Sequence, residues 1–192
     1  MSFRTEEKMM FHSSDFLDLK KFIFSINGKK LYPSRLIESI YFDNKYLQSY
    51  NESEEGTLPR KKIRIRSYDN FVSQNLEFKT TSVEGKFKKT KKLNFNTFTQ
   101  YKKNGFFDND YGLTYPISKV RYLRHYFSIN NKIRLTIDQN ITYMSYLYKS
   151  LLYNDFDSLI LETKSPDKNL FQKLDNIIPF NKLRVSKYCL SI

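Results

Sequence analysis

One segment near the middle of the chain alternates strictly between apolar and charged residues. Lys62, Arg64 and Arg66 alternate with Ile63 and Ile65, which is the period expected of a β-strand with two different faces. Successive side chains leave opposite sides of a strand, so the three cations share one face and the isoleucines share the other. This pattern predicts a strand with one basic and one apolar face.

The same alternation recurs in residues 75–80, 132–138 and 158–164, and the opening segment repeats it over residues 4–8. The charged residues on these polar faces are Arg4, Glu6, Lys8, Glu77, Lys79, Lys132, Arg134, Asp138, Glu162 and Lys164. Both signs of charge occur on one strand after another. Further strands are predicted at residues 38–43, 86–94, 119–127 and 141–148.

Three amphipathic helices are predicted among these strands. Apolar residues at helical spacing and flanking cap residues indicate helices at residues 14–26 and from Ser165 through Leu174. Another helix is predicted at residues 96–104, ending at Asn104-Gly105. Loops are predicted at residues 52–59 and 106–116.

Two arrangements can explain charged faces on so many strands. The first is an antiparallel sheet whose charged side faces solvent, which is the default for any single strand. The second is an antiparallel β-barrel tunnel with a charged lumen and with helices packed outside against the apolar faces. Because both signs of charge recur and the opposite faces are apolar enough to pack under helices, we expect the second. The predicted fold class is α+β, with a single domain over residues 1–192.

Composition narrows the function. The net charge of +13 calls for a polyanionic partner, although a solvated lysine surface explains part of the excess. One cysteine and two histidines exclude an intrachain disulfide and argue against cysteine or imidazole metal clusters. The glycines are scattered, so no Gly-rich phosphate loop is present. No apolar stretch is long enough to span a bilayer, and the start lacks a signal peptide's apolar region, so we expect a cytoplasmic protein.

Eight short motifs, in their order along the chain, resemble a known family. They are Arg4-x-Glu6-x-Lys8, Ser39-Ile40-Tyr41-Phe42-Asp43, Lys62-Ile63-Arg64-Ile65-Arg66, Leu76-Glu77-Phe78-Lys79, Tyr122-x-Arg124, Arg134-Leu135-Thr136-Ile137-Asp138, Leu161-Glu162-x-Lys164 and Arg184-Val185-Ser186-Lys187-Tyr188. Together they resemble the polyphosphate polymerase domain of vacuolar transporter chaperone (VTC) proteins, within the CYTH or triphosphate tunnel metalloenzyme superfamily. The resemblance covers nearly the whole chain.

The resemblance implies a site for phosphates and a divalent metal, Mn²⁺ or Mg²⁺. The implied phosphate ligands are Lys8, Arg64, Arg66, Lys79, Arg124, Arg134, Arg184, Ser186 and Lys187, all of them except Arg184 and Ser186 with a catalytic role. One basic residue of the run 88–92 is expected to join them, and Lys91 is our choice. Glu162 is the implied metal ligand. Arginine suits this task because its planar fork grips phosphate oxygens bidentately.

The implied activity is synthesis of inorganic polyphosphate from ATP. Hydrolytic members of the superfamily commonly open with Glu-x-Glu-x-Lys, whereas this chain has Arg4 at the first acidic position, which favours the polymerase branch. Hydrolysis of triphosphate or nucleoside triphosphate and noncatalytic binding of polyphosphate stay open as alternatives. Nucleic acid is not an expected partner, because the arginines alternate along strands instead of forming a stripe on an exposed helix.

Overall fold

The computed structural model describes residues 5–69, 73–147, 151–165, 169 and 185–192. The strands in these ranges are β1 Thr5–His12, β2 Gly28–Asp43, β3 Arg60–Tyr68, β4 Ser73–Ser82, β5 Gly85–Leu93, β6 Phe106–Asp108, β7 Gly112–Ile129, β8 Ile133–Ser145, β9 Leu151–Asp155 and β10 Ser158–Ser165. The α-helices are α1 Phe16–Ser25, α2 Gln48–Glu55 and α3 Phe95–Asn104. Short 3₁₀ helices cover Ser13–Asp15 and Cys189–Ser191. Within these ranges no helix is long and apolar enough to cross a membrane.

The strands form one sheet in the order β1-β10-β8-β7-β2-β3-β4-β5, with β6 paired to β7 and β9 to β8. The β1–β10, β10–β8, β2–β3, β3–β4, β4–β5 and β6–β7 ladders are all antiparallel. The predicted antiparallel fold with helices against it is therefore confirmed. One correction applies: the order of the described strands does not close from β5 back to β1, so "barrel" is only an approximate description.

Contacts divide the chain into two compact units. Unit 1 takes in Met1–Arg35, Tyr122–Ile141 and Asn154–Val185, and unit 2 takes in Leu36–Arg121, Thr142–Tyr153 and Ser186–Ile192. The long strands β2, β7 and β8 contribute residues to both units. The single domain expected over residues 1–192 stays a prediction.

In unit 1, helix α1 covers the apolar face of strands β1, β10 and β8. Leu19 and Ile23 of the helix are 2% and 1% exposed, respectively. They belong to a core whose other buried members are Met9, Phe127, Ile129, Ile133, Leu135, Ile137, Leu159 and Leu161. Ile133, Leu135 and Ile137 of β8 thus face the helix, as the alternation of residues 132–138 predicted, and Arg134, Thr136 and Asp138 are left on the other face.

In unit 2, helix α3 packs in the same way. Phe98 of α3 belongs to a core with Ile40, Phe42, Ile63, Ile65, Leu76, Leu93 and Tyr111. Asn94 caps the helix by accepting from the backbone N–H of Thr97 at 2.8 Å, as an N-cap side chain does. Burial of Ile63 and Ile65 against this helix leaves Lys62, Arg64 and Arg66 on the opposite face of the strand.

Helix α2 was not predicted from the sequence, and the prediction of a loop at residues 52–59 is wrong for the part that the helix covers. Its segment has no apolar stripe, and Ser49 and Ser53 are its buried residues. Asp43, at the end of β2, stabilises the helix start by accepting from the backbone N–H groups of Ser49 (3.0 Å) and Tyr50 (2.9 Å). Gly56 ends the helix with φ 80, a left-handed conformation that glycine adopts without strain.

Two further differences concern strand lengths. β2 begins at Gly28, ten residues before the predicted 38–43. The sequence did not indicate this first part of the strand, because residues 29–35 are largely exposed on both sides and do not alternate. The predicted loop 106–116 is the hairpin of β6 and β7. Of the third predicted helix, Ser165 ends β10, and residues 166–168 and 170–174 lie outside the described residues.

Candidate functional site

The polar face of unit 2 carries cations on three neighbouring strands. Lys62 of β3 lies across from Lys79 of β4, which lies across from Lys88 of β5. Arg64 and Arg66 follow Lys62 on the same face of β3; Arg64 is half-buried and Arg66 is only 7% exposed. We call the set Lys62, Arg64, Arg66, Lys79 and Lys88 the basic face.

Glu77 of β4 lies at the centre of the basic face and is 3% exposed. Its carboxylate accepts from Arg64 Nε at 2.8 Å and from Lys88 Nζ at 2.6 Å, and Arg66 Nη1 lies 3.7 Å away. Burial raises the pKa of Glu77, but Arg64, Arg66 and Lys88 lower it by more, so that it falls from 4.5 to about 2. The carboxylate is therefore charged at neutral pH and holds the cations in fixed positions.

The C-terminal segment of the described chain adds to this face. Lys62 Nζ donates to Ser186 Oγ at 2.9 Å. Two residues on, Tyr188 donates to Asp43 Oδ2 at 2.6 Å and stacks on Tyr41, with ring centroids 5.0 Å apart. A buried hydrogen bond and a ring stack therefore anchor the segment that carries Ser186.

Lys187 lies between Ser186 and Tyr188 and is 9% exposed. Its charge acts on the phenol of Tyr41, together with those of Arg64 and Arg66. Unit 2 thus brings together Ser186, Lys187 and the predicted cations of β3 and β4.

Lys91 was predicted to join the phosphate ligands, but it lies on the opposite face of the sheet from the basic face. The β4–β5 register places Lys91 across from Leu76, on the side of the apolar core, whereas Lys88 lies across from Lys79 and pairs with Glu77. The lysine-rich sequence of β5 has no apolar alternation before Leu93, so only the pairing with β4 decides which lysines face inward.

In unit 1, the polar face of β7, β8 and β10 carries a buried ion-pair cluster. Arg124 donates from Nε and Nη2 to the two oxygens of Asp138, at 2.6 and 2.7 Å, and Nη2 lies 3.5 Å from Glu162 Oε2. The three residues are between 0% and 9% exposed. Arg124 therefore directs two donors to a protein carboxylate, which the motif alone did not indicate.

Glu162 is the centre of this cluster, and its other neighbours are Lys8 of β1 and Lys164 of β10. Lys8 lies directly across from Glu162, and Lys164 Nζ is 3.0 Å from Glu162 Oε1. Burial raises the pKa of Glu162, whereas a hydrogen bond with Glu6 lowers it, and the cations Lys164, Lys8 and Arg124 lower it further. The pKa of Glu162 therefore lies well below its ordinary value, and the group is a carboxylate at neutral pH.

Of the remaining predicted residues, Arg134 is exposed on the same face of β8 as Asp138 and lies across from Lys164. Lys8 also donates to the carbonyl oxygen of Val185 at 3.3 Å. Arg4 and Arg184 lie outside the described residues. Their roles, and the common lumen predicted for the charged strand faces, stay predictions.

Glu162 and Glu6 fit a hard divalent cation in the chemistry of their donors. Both carry carboxylate oxygens, the ligands that Mg²⁺ and Mn²⁺ prefer. The β1–β10 register places them on one face of the sheet, because Lys8 lies across from Glu162 and Lys8 Nζ is 4.0 Å from Glu6 Oε1. The described residues contain no group of three or more carboxylate, histidine or cysteine side chains that could hold an ion. Water or phosphate oxygens would have to complete the coordination.

Sequence reasoning did not assign a role to several residues that the structure places in these clusters. They are Glu6, Tyr41, Asp43, Glu77, Lys88 and Asp138. All but Lys88 belong to the eight sequence motifs, so membership of a motif was the available signal. Their partners come from other strands, and strand pairing is not readable from one segment.

Comparison with family models shows the family of the chain, and comparison with solved structures shows its fold. A family model described as VTC domain matches residues 3–192, which confirms the resemblance drawn from the motifs. No curated protein matches the chain in sequence.

Solved structures match over almost the full length. A proposed adenylate cyclase from Bacillus halodurans is 14% identical, with a TM-score of 0.65 and coverage of 97% of this chain and 96% of that one. A proposed adenylyl cyclase from Hippeastrum, described as having a dominant triphosphatase activity, is 13% identical, with a TM-score of 0.64 and coverage of 97% and 94%. The PH1819 protein from Pyrococcus horikoshii is 12% identical, with a TM-score of 0.64 and coverage of 98% and 97%. At these identities the likeness shows the fold, that of the triphosphate tunnel proteins.

Proposed function

The chain belongs to the VTC domain family, and from this premise we propose that it is a metal-dependent phosphotransferase that makes inorganic polyphosphate from ATP. In the proposed reaction, the bond between the γ-phosphorus and the oxygen it shares with the β-phosphate breaks. A new bond forms between that phosphorus and a terminal oxygen of the growing polyphosphate chain. ADP leaves, and the chain is longer by one phosphate.

The basic face of unit 2 is the observation that carries this proposal. Phosphoryl transfer passes through a loose transition state with charge spread over nonbridging oxygens, so positioning and electrostatics supply most of the acceleration. Arg64 and Arg66 present planar forks from one strand face, and Glu77 fixes them through contacts of 2.7 to 3.7 Å. Because two residues advance about 6 to 7 Å along a strand, the pair has the spacing to grip successive phosphates.

The carboxylate cluster of unit 1 supports the metal dependence. Glu162 with Glu6 would hold Mn²⁺ or Mg²⁺, and the ion would supply positive charge that offsets the negative charge of a phosphate substrate. The chain's own contribution is to keep Glu162 ionised despite its burial, through Lys8, Lys164 and Arg124.

Hydrolysis of triphosphate is the second candidate. It is supported by the triphosphatase activity stated for the Hippeastrum protein, which has the same fold. Against it stands Arg4, which occupies the first acidic position of the Glu-x-Glu-x-Lys motif of the hydrolases. Noncatalytic binding of polyphosphate would use the same basic face without turnover.

One experiment separates these functions. Purified protein is incubated with ATP and Mn²⁺, and the phosphate products are resolved by gel electrophoresis and phosphorus NMR. A ladder of long phosphate chains supports the polymerase, and free orthophosphate supports the hydrolase. Tight polyphosphate binding without turnover would show a binding module.

Two variants make the result specific to the site. Arg66→Ala removes a buried cation of the basic face and should abolish the ladder. Lys103→Ala removes an exposed charge in the last turn of α3 and should leave it intact. Equal ladders from both variants would show that the activity does not depend on the basic face.

A further inference from the structure

Tyr41 lies beside the basic face and has no part in the function proposed above. It lies in β2, directly across from Arg64 in the β2–β3 register, and is 5% exposed. Its ring stacks on Tyr188 and lies under the guanidinium of Arg64, 6.0 Å from centroid to Cζ. Packing therefore holds the phenol group in one position beside the arginine pair.

The hydroxyl of Tyr41 differs from those of two nearby tyrosines in its hydrogen bonds. Tyr188 donates its hydrogen to Asp43, and Tyr111 donates to Glu52, both at 2.6 Å. Tyr41 Oη instead accepts from Arg64 Nη1 at 3.3 Å. Within the described ranges no acceptor for its own hydrogen is found, so this donor is available for a ligand.

The charges around Tyr41 select the kind of ligand. Arg64, Arg66 and Lys187 all act on the phenol, and although burial raises the pKa of Tyr41, these cations lower it by more. Three cations around one donor favour an anionic acceptor over a neutral one.

Ser39, the neighbour of Tyr41 on the same face of β2, repeats the arrangement. It lies across from Arg66 and is 0% exposed, and its hydroxyl has no hydrogen-bond partner among the described residues. β2 thus places two hydroxyl groups beside the two arginines of β3, one across from each.

We propose that Tyr41 is a further phosphate ligand of this protein, donating its phenolic hydrogen to a nonbridging oxygen of the phosphate chain held by Arg64 and Arg66. This inference rests on the proposed function, since it needs a phosphate chain on the basic face. Tyr41 then contributes a directional hydrogen bond where the arginines contribute charge.

The test is calorimetric titration of inorganic triphosphate into the wild type and the Tyr41→Phe variant. Loss of a hydrogen bond to a charged group should weaken binding about tenfold. The unfolding midpoint should stay close to that of the wild type, because the hydroxyl donates to no described residue and Arg64, which donates to it, keeps its contacts with Glu77. Tyr111→Phe is the matched control: it loses a structural hydroxyl away from the basic face, so it should lower stability and leave triphosphate affinity unchanged.

A double-mutant cycle separates direct contact from an effect through Arg64, whose position the phenol could influence. Tyr41→Phe is measured again in the Arg64→Ala background. If Tyr41 contacts phosphate, the loss of affinity persists there. A loss that disappears in the Arg64→Ala background would overturn the inference and make Tyr41 a positioning residue.

The two proposals fail in different ways. Absence of triphosphate binding by the wild type would overturn both. Normal binding by the wild type and by Tyr41→Phe alike would overturn the inference on Tyr41 and leave the proposed function standing. Phosphorus NMR of bound triphosphate is the second measurement: the shift of one phosphorus should change in Tyr41→Phe, and identical spectra would contradict the contact.

Discussion

Replacing Glu77 with Gln removes the negative charge that holds the basic face together. The carboxylate is 4% exposed and contacts Arg64 at 2.7 Å and Lys88 at 2.6 Å. Lowering its pKa from 4.5 to about 2 corresponds to about 3 kcal/mol of stabilisation by the folded state. Glu77→Gln should therefore lower the free energy of unfolding at pH 7 by about that amount, since it leaves buried cations without their counter-ion.

The pH dependence gives this prediction its sign. The folded-state pKa of Glu77 lies below its unfolded value, so its stabilisation is fully present above about pH 4.5 and is lost as the pH falls towards about 2. The wild type should lose this contribution over that window, and the Glu77→Gln variant should not. The difference in stability between the two proteins should therefore shrink as the solution is acidified.

The assay is urea unfolding followed by circular dichroism at pH 7, 5 and 3. Glu84→Gln is the matched control, because Glu84 is an exposed carboxylate in the turn that joins β4 to β5, and its replacement should have little effect at any of these pH values. The reasoning would be refuted if Glu77→Gln changed stability by less than about 1 kcal/mol, or if its effect were the same at pH 3 and pH 7.

Three further predictions concern the site. Arg66→Lys keeps the charge but loses the planar fork, so it should weaken triphosphate binding about tenfold; Arg66→Ala loses both and should weaken it about a hundredfold. Near-normal affinities of both folded variants in calorimetry would show that Arg66 is not part of the site. Glu162→Gln should weaken Mn²⁺ binding in the presence of triphosphate at least about tenfold, measured by electron paramagnetic resonance; equal Mn²⁺ affinity in the well-folded variant would exclude Glu162 as a ligand. Asp43→Asn removes the charged acceptor of Tyr188 and of the α2 backbone. It should reduce the unfolding free energy by about 2 kcal/mol, and it should weaken triphosphate binding because the segment that carries Lys187 loses its anchor. Unchanged stability and affinity would argue against the anchoring role.

Much of the fold was predictable because it depends on local periodicity. The alternation of Lys62 to Arg66 predicted which side chains of β3 face the core, since side-chain direction in a strand follows from the backbone alone. Helix α3 was likewise predicted from a local signal, the Asn104-Gly105 pair at which it ends. Helix α2 could not be predicted in this way, because it has no apolar stripe and depends on Asp43, which lies outside it in β2.

The candidate site likewise has residues that the sequence indicated and contacts that only strand pairing decided. The resemblance of the motifs to VTC domains named the cations of β3 and β4, Glu162 and the Ser186-Lys187 pair as candidates, and their binding of phosphate or metal stays a prediction. Only the tertiary structure decided that Lys88, and not Lys91, joins Glu77, since strand register depends on pairing with another segment. It also decided that Arg124 binds Asp138 and that Tyr41 accepts from Arg64, with no acceptor for its own hydrogen among the described residues. Ion pairs and hydrogen bonds between strands distant in sequence depend on distances that no single segment of the chain contains.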